Sequence, residues 1–306
     1  MIFYLKSYKI IDMKRLFFLF ICLNLLFLGV SAQPGALEIE LTGGLNNLTF
    51  HPDRITAHGQ SDEFREFEGY PYILGNFLIK GDINEKLSHE IRLYRDNILQ
   101  NNISWKLSTN MDYFNLEFGP FAGMGDKLEK PDLGVTGGLE LSLPGIVFLA
   151  INGSSTLSLG FDFLGNSTRE TAEVKLGFWI PNIITTFSVS IKNFTRQPNE
   201  FLILQDELIR YMLNADLYGK NAPLIFSLWA GYETFYRSYN WGNTETSDRM
   251  DAIFAGAELR WKFSRQFSVI GGFELPVYVF ETKPMELPAK YFTLYNFNAG
   301  VSFTFY

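Results

Sequence analysis

Residues 290–306 end the chain in an alternation of bulky apolar and small polar residues, regular from 296 onward. Tyr291, Tyr295, Phe297, Ala299, Val301, Phe303 and Phe305 take one set of positions, and Asn296, Asn298, Gly300, Ser302 and Thr304 take the other. Successive side chains on a strand point to opposite faces, so a strand here would be greasy and aromatic on one side and small and polar on the other. Such a strand suits a wall between lipid and water. The edge of a soluble sandwich can alternate in the same way, so the decision rests on the other segments.

Alternating segments recur from Ala36 onward, separated by turn residues, near 36–50, 70–81, 87–97, 101–110, 112–123, 133–143, 145–163, 170–180, 183–196, 202–217, 223–236, 251–263, 266–280 and 290–306. They predict an all-β fold of about fourteen strands, within a range of twelve to sixteen. No amphipathic helix longer than two turns interrupts them. The aromatic content of 16% with 30 Phe residues exceeds what one soluble core of this size needs, and suits a barrel with aromatic girdles at both membrane interfaces.

The connections alternate in length. Those at 82–86, 110–111, 144–145, 181–182, 219–222 and 264–265 are short, whereas those at 51–69, 124–132, 164–169, 197–201, 237–250 and 281–289 are longer and polar. Outer-membrane barrels have tight periplasmic turns, longer outward loops and an even strand number, which returns both termini to the periplasm. The hairpin near Gln100 breaks the alternation, being short on the supposed outer side.

Sorting by face sharpens the reading. Over 251–263, Ile253, Ala255, Ala257, Leu259, Trp261 and Phe263 face one way, and Gly256, Glu258, Arg260 and Lys262 the other. Over 170–180, Ala172, Val174, Leu176, Phe178 and Ile180 oppose Glu173, Lys175 and Gly177. Charges avoid the apolar face, as expected where Lys or Arg at the bilayer midplane costs roughly 2–4 kcal/mol. The predicted architecture is a transmembrane antiparallel up-and-down β-barrel with lipid outside and water inside.

The polar face supplies the candidate site. Glu258, Arg260 and Lys262, with Glu274 on the next strand, form its densest cluster, and Glu117, Glu140, Glu173 and Lys175 are further lumen-lining candidates. Such charges either set the ionic preference of a pore or pair across strands and brace the lumen. Tyr239 and Trp241, in the segment 237–250, are surface-loop candidates for contact with glycans or a host surface. Loop 51–69 carries Asp62-Glu-Phe-Arg-Glu-Phe-Glu68 and could fold over the mouth.

Catalytic, metal and cofactor patterns are thin. His51 with Asp53, or His58 with Asp62, can be drawn as a hydrolase pair, and His89 lies near a strand start; no second His or Cys falls at ligand spacing. The expectation is a non-enzyme without cofactor or metal.

Residues 1–32 read as a cleavable secretory leader: Lys14 and Arg15, the apolar run Leu16–Val30, then Val30-Ser31-Ala32 before Gln33. Met13 is an alternative start, and a retained helix the alternative fate. Cys22, the single cysteine, would leave with the leader. Four bases (Lys6, Lys9, Lys14, Arg15) and one acid (Asp12) would leave too, taking the net charge from −7 to −10. An acidic exported barrel, residues 33–306, is a poor nucleic-acid binder. Its expected partners are outer-membrane lipid, small solutes, and the barrel-assembly machinery acting through the closing strand. That strand is expected to pair with Ala36–Phe50, with Phe303 and Phe305 facing lipid.

Two stretches carry a resemblance. Leu93-Tyr-Arg-Asp-Asn-Ile-Leu-Gln-Asn101, leading to Asp112-Tyr-Phe-Asn-Leu-Glu-Phe-Gly-Pro-Phe121, and Glu173-Val-Lys-Leu-Gly-Phe-Trp-Ile-Pro-Asn182 resemble segments of treponeme-like spirochaetal outer-membrane barrel proteins. In that group a Tyr-Asp-Pro-Leu-Leu-Arg-Asn-like segment precedes a Gly-Pro-Phe strand; here Asp96-Asn97 stands in place of Asp-Pro. The resemblance implies a bacterial outer-membrane barrel with no assigned substrate. From residues and resemblance together the expected role is a pore for small hydrophilic solutes. The alternatives are a structural or adhesive barrel with a self-filled lumen, and thirdly an outer-membrane hydrolase.

Overall fold

The structure is a computed structural model. It describes residues 37–46, 72–109, 111–124, 131–156, 167–199, 202–218, 223–241, 244–280 and 296–305. Residues 1–32, expected to be a leader, and 51–69, with His51 and His58, lie outside them.

The described residues form fourteen strands: β1 (Leu37–Asn46), β2 (Tyr72–Asn84), β3 (Leu87–Asp96), β4 (Gln100–Thr109), β5 (Phe114–Met124), β6 (Asp132–Leu143), β7 (Val147–Thr156), β8 (Ser167–Ile180), β9 (Ile183–Asn199), β10 (Leu202–Tyr218), β11 (Leu224–Trp241), β12 (Thr244–Lys262), β13 (Phe267–Phe280) and β14 (Asn296–Phe305). Each pairs antiparallel with its neighbour in sequence, and β14 closes on β1. The closing register runs from Leu37↔Phe305 to Asn46↔Asn296, as the terminal alternation predicts. Phe303 and Phe305 are exposed.

Two tight turns show how the chain reverses at the end of the barrel that holds Leu37 and Phe305, here the terminal end. Pro144-Gly145 and Pro181-Asn182 join β6 to β7 and β8 to β9, with Gly145 at φ 77° and Asn182 at φ 65°. Proline presets the first central position, and the second needs the left-handed conformation that Gly and Asn tolerate.

The outer surface is an apolar belt bounded by aromatics. On β10–β14 the terminal-end girdle is Trp261, Phe263, Phe267 and Phe303, with ring centroids 4.2 Å apart for Trp261–Phe263 and 5.0 Å for Phe267–Phe303. Tyr211, Tyr232, Tyr278 and Phe280 make the other, with Tyr232–Phe280 at 6.0 Å and Tyr278–Phe280 at 5.0 Å. Along β13 the girdles stand about ten strand steps apart, roughly 25 Å after the usual tilt, which is the height of a lipid-facing band. Above the second girdle, at the loop end, the register places Glu170, Asn193, Glu207, Tyr236 and Arg249 in one row. That row ends the apolar belt.

Two expectations are corrected. The segment 237–250 is not a loop: β11 runs on to Trp241 and β12 starts at Thr244, with Tyr239 opposite Thr246 and Trp241 opposite Thr244. Tyr239 and Trp241 therefore stand on strand rather than on a loop. Strands β9–β12 are 17–19 residues long, against 10 for β3 and β4, so the wall is tall on one side and low on the other. Secondly, alternation fails near the end of β13. The pairing steps from Ile253↔Tyr278 to Phe254↔Pro276, leaving Val277 as the extra residue of a β-bulge. The bulge lets Tyr278 join the outward girdle while Val279 turns in.

Candidate functional site

The low side of the wall reaches across the lumen. The β3–β4 turn, Asn97–Leu99, buries Ile98 and Leu99, at 1% and 0% exposure. Both join one apolar cluster with Phe194 of β9, Leu208 of β10, Phe235 of β11 and Met250 of β12, with Tyr94 and Val279 against it. Register aligns Leu208, Phe235 and Met250 with Lys192 in one lumenal row of the tall wall.

Local chemistry shapes this turn. One carboxylate oxygen of Asp96 accepts the N–H groups of Ile98 at 2.9 Å and Leu99 at 2.6 Å, the side-chain turn that Asp favours. Gln100 takes φ 62°, and Asn102 Nδ2 donates to its carbonyl at 3.0 Å. The second Asp96 oxygen accepts from Lys192 Nζ at 2.9 Å. Arg169 Nε donates to the Leu99 carbonyl at 2.9 Å. Arg169, 1% exposed, also pairs with buried Asp132 and lies 4.3 Å over the Phe194 ring; Ser167 Oγ donates to the same Asp132 at 2.6 Å. The charged groups that follow the turn inward thus meet partners, as burial requires.

Two further tiers fill the same side. Toward the loop end, Asp206 is held by Arg237, with Nη2 at 2.7 Å, and by Arg196 at 2.8 Å. Toward the terminal end, Arg210 pairs with Glu274 at 2.7 Å and Glu233 at 3.1 Å, and its guanidinium lies 4.0 Å over the Phe254 ring. Trp229 Nε1 donates to Glu274 at 2.7 Å.

The other side is hollow. A cavity of about 670 Å³ lies against β14 and β1–β9, with Arg210 and Met212 of β10. Toward the loop end it follows β14, β1, β2 and β3, where Asn296, Leu74 and Arg95 line it. The lumen is therefore occupied along β10–β13 and hollow along β14 and β1–β9.

The structure redistributes the sequence candidates. Glu274 belongs to Arg210 and Trp229, not to a cluster with Glu258, Arg260 and Lys262. Arg260 instead crosses to β1, reaching Glu40 at 2.9 Å and Glu38 at 3.8 Å, while Glu258 is half-buried and Lys262 exposed at the terminal end. Glu117, Glu140, Glu173 and Lys175 do line the cavity. Within it Lys106 bridges Glu117 at 2.8 Å and Glu90 at 3.4 Å, and Lys175 meets Glu173 at 2.9 Å. His89 shares the outward set of β3 with Ile91 and Leu93. Among the described residues no three His, Cys, Asp or Glu side chains group as a metal site.

A closed fourteen-stranded antiparallel barrel with an apolar exterior and a charged, partly filled interior is a membrane-spanning β-barrel. No protein-family model matches the chain, and no curated protein matches it. Among solved structures it is similar to an outer membrane channel from Pseudomonas putida F1, at 10% identity and TM-score 0.48, over 90% of this chain and 97% of that one. It is also similar to a bacterial polysaccharide outer membrane secretin (9%, TM-score 0.44, 88% and 97%) and to OmpT, an outer membrane protein of Vibrio cholerae (12%, TM-score 0.42, 89% and 97%).

Proposed function

We propose that this chain is a bacterial outer-membrane barrel that conducts small hydrophilic solutes through a narrowed lumen. In this reading residues 1–32 are removed on export, both termini lie in the periplasm, and β14 is the strand read by the assembly machinery. One observation carries the reading: a polar-lined cavity of about 670 Å³ runs beside a filled half of the lumen. A fully braced barrel would have no such space, and a general pore would have no such filling. The role in this reading is non-catalytic.

A second reading, a surface barrel whose self-filled lumen passes nothing, draws on the apolar cluster around Ile98 and Leu99. Planar-bilayer recording separates the two. The folded barrel is expected to give discrete steps well below those of an open sixteen-stranded porin. Membranes that stay silent with protein shown to be folded by its heat-modifiable migration would overturn the channel reading.

A further inference from the structure

We propose that solute passes eccentrically, along the β14–β1–β2–β3 side, and that the passage selects neutral polyhydroxylated solutes of about monosaccharide size over charged solutes of equal size. The proposal rests on the channel reading and adds the path and the solute class.

The path follows from what fills the rest. Ile98 and Leu99 lie in one buried cluster with residues of β9–β12, and Arg210, Glu274 and Trp229 close the tier below. The cavity takes nothing from β11–β13, and near the loop end Thr42, Asn76, Asn296 and Asn298 line it beside Arg92 and Arg95.

The solute class follows from that lining. Four of these six groups are uncharged, three amides and one hydroxyl, and both types donate and accept hydrogen bonds. Such groups satisfy sugar hydroxyls, which also donate and accept. Arg92 gives its Nε–H to Asn76 Oδ1 at 2.6 Å and lies 5.2 Å over the Tyr94 ring, so its charge is spread over a neutral amide and an aromatic face. Deeper in the cavity most of the charges are paired, Lys106 with Glu90 and Glu117, Lys175 with Glu173 and Lys192 with Asp96, and Glu140 stands apart from these pairs. A compensated lumen draws in neither anions nor cations strongly. A charged solute there would shed water and meet mostly committed counter-charges.

The test is uptake into proteoliposomes containing the folded full-length barrel, with glucose, the gluconate anion and the glucosamine cation as equal-sized probes. Glucose is expected to enter at least five-fold faster than either ion. Thr42→Cys, made alongside Cys22→Ser and labelled after folding with a bulky thiosulfonate, is expected to cut glucose entry at least five-fold, and thiol reduction to restore it. Labelling after folding keeps the assay independent of whether a bulky substitution folds. Equal entry of the three solutes, or faster entry of an ion, overturns the solute class while leaving the channel reading intact. Unchanged flux after complete labelling of the Thr42→Cys variant overturns the path. Glucose entry no faster than into protein-free vesicles overturns the channel reading itself, and this proposal with it.

Discussion

Arg169 shows how much one side chain can organise in this lumen. It is 1% exposed and holds Asp132, the Leu99 carbonyl and the Phe194 ring at once. Removing one member of a buried pair leaves the other charged and desolvated, which typically costs about 3–5 kcal/mol. Arg169→Met is therefore expected to destabilise the barrel by roughly that amount, read from guanidinium unfolding in lipid vesicles. A loss under about 1 kcal/mol would mean that Asp132 finds water or another partner easily. Little of this was legible in the sequence, because Arg169 falls in a polar stretch that reads as loop 164–169. The Asp96 turn was half legible. Asp-Asn is ordinary turn chemistry, whereas Ile98-Leu99 is not; two large apolar residues in a turn that is short on the long-loop side were the available signal. The matching signal was Phe194, Leu208, Phe235 and Met250, apolar residues on lumen positions of four successive strands. No rule of alternation joins them to a turn so distant in the chain; only closure of the barrel does.

At the scale of strands the sequence was a better guide. Period-two alternation is set by the pleat and needs no tertiary knowledge, so fourteen segments and the closing β1–β14 pair could be read directly. It failed where geometry adds a residue, at Val277, and where polar strand continues past the membrane, as in Thr244–Met250 of β12. A polar alternating stretch resembles a loop until a partner strand rises beside it. The faces themselves can be tested. Leu176 points outward in the middle of the belt on β8, and Ser190 points into the cavity on β9. Leu176→Arg should cost about 2–4 kcal/mol in an equilibrium folding titration into vesicles, whereas Ser190→Arg should cost under about 1. Equal penalties would place β8 or β9 in the wrong register.

At the scale of the whole molecule, the barrel is asymmetric in height and in filling. Its tall wall, β9–β12, carries the apolar row that receives the turn, and its low wall supplies the turn. Replacing Ile98 and Leu99 together by Ala leaves the Asp96 backbone contacts in place and removes most of the apolar filling. Conductance in planar bilayers is expected to rise at least two-fold, and discrimination between glucose and gluconate to shrink. Unchanged conductance would show that current never passes beside the turn.

The seated turn also has a mechanical meaning. A barrel wall is one strand thick, and a ring of hydrogen-bonded strands resists flattening far less than it resists unzipping. The contacts of Asp96 with Lys192 and of Leu99 with Arg169 run along a chord of that ring, so they act as a strut. The strut holds the cross-section in one shape under the lateral pressure of a bilayer. It ties the β3–β4 turn to β8 and β9 across the lumen, so curvature is set by side chains and not by closure of β1 on β14 alone.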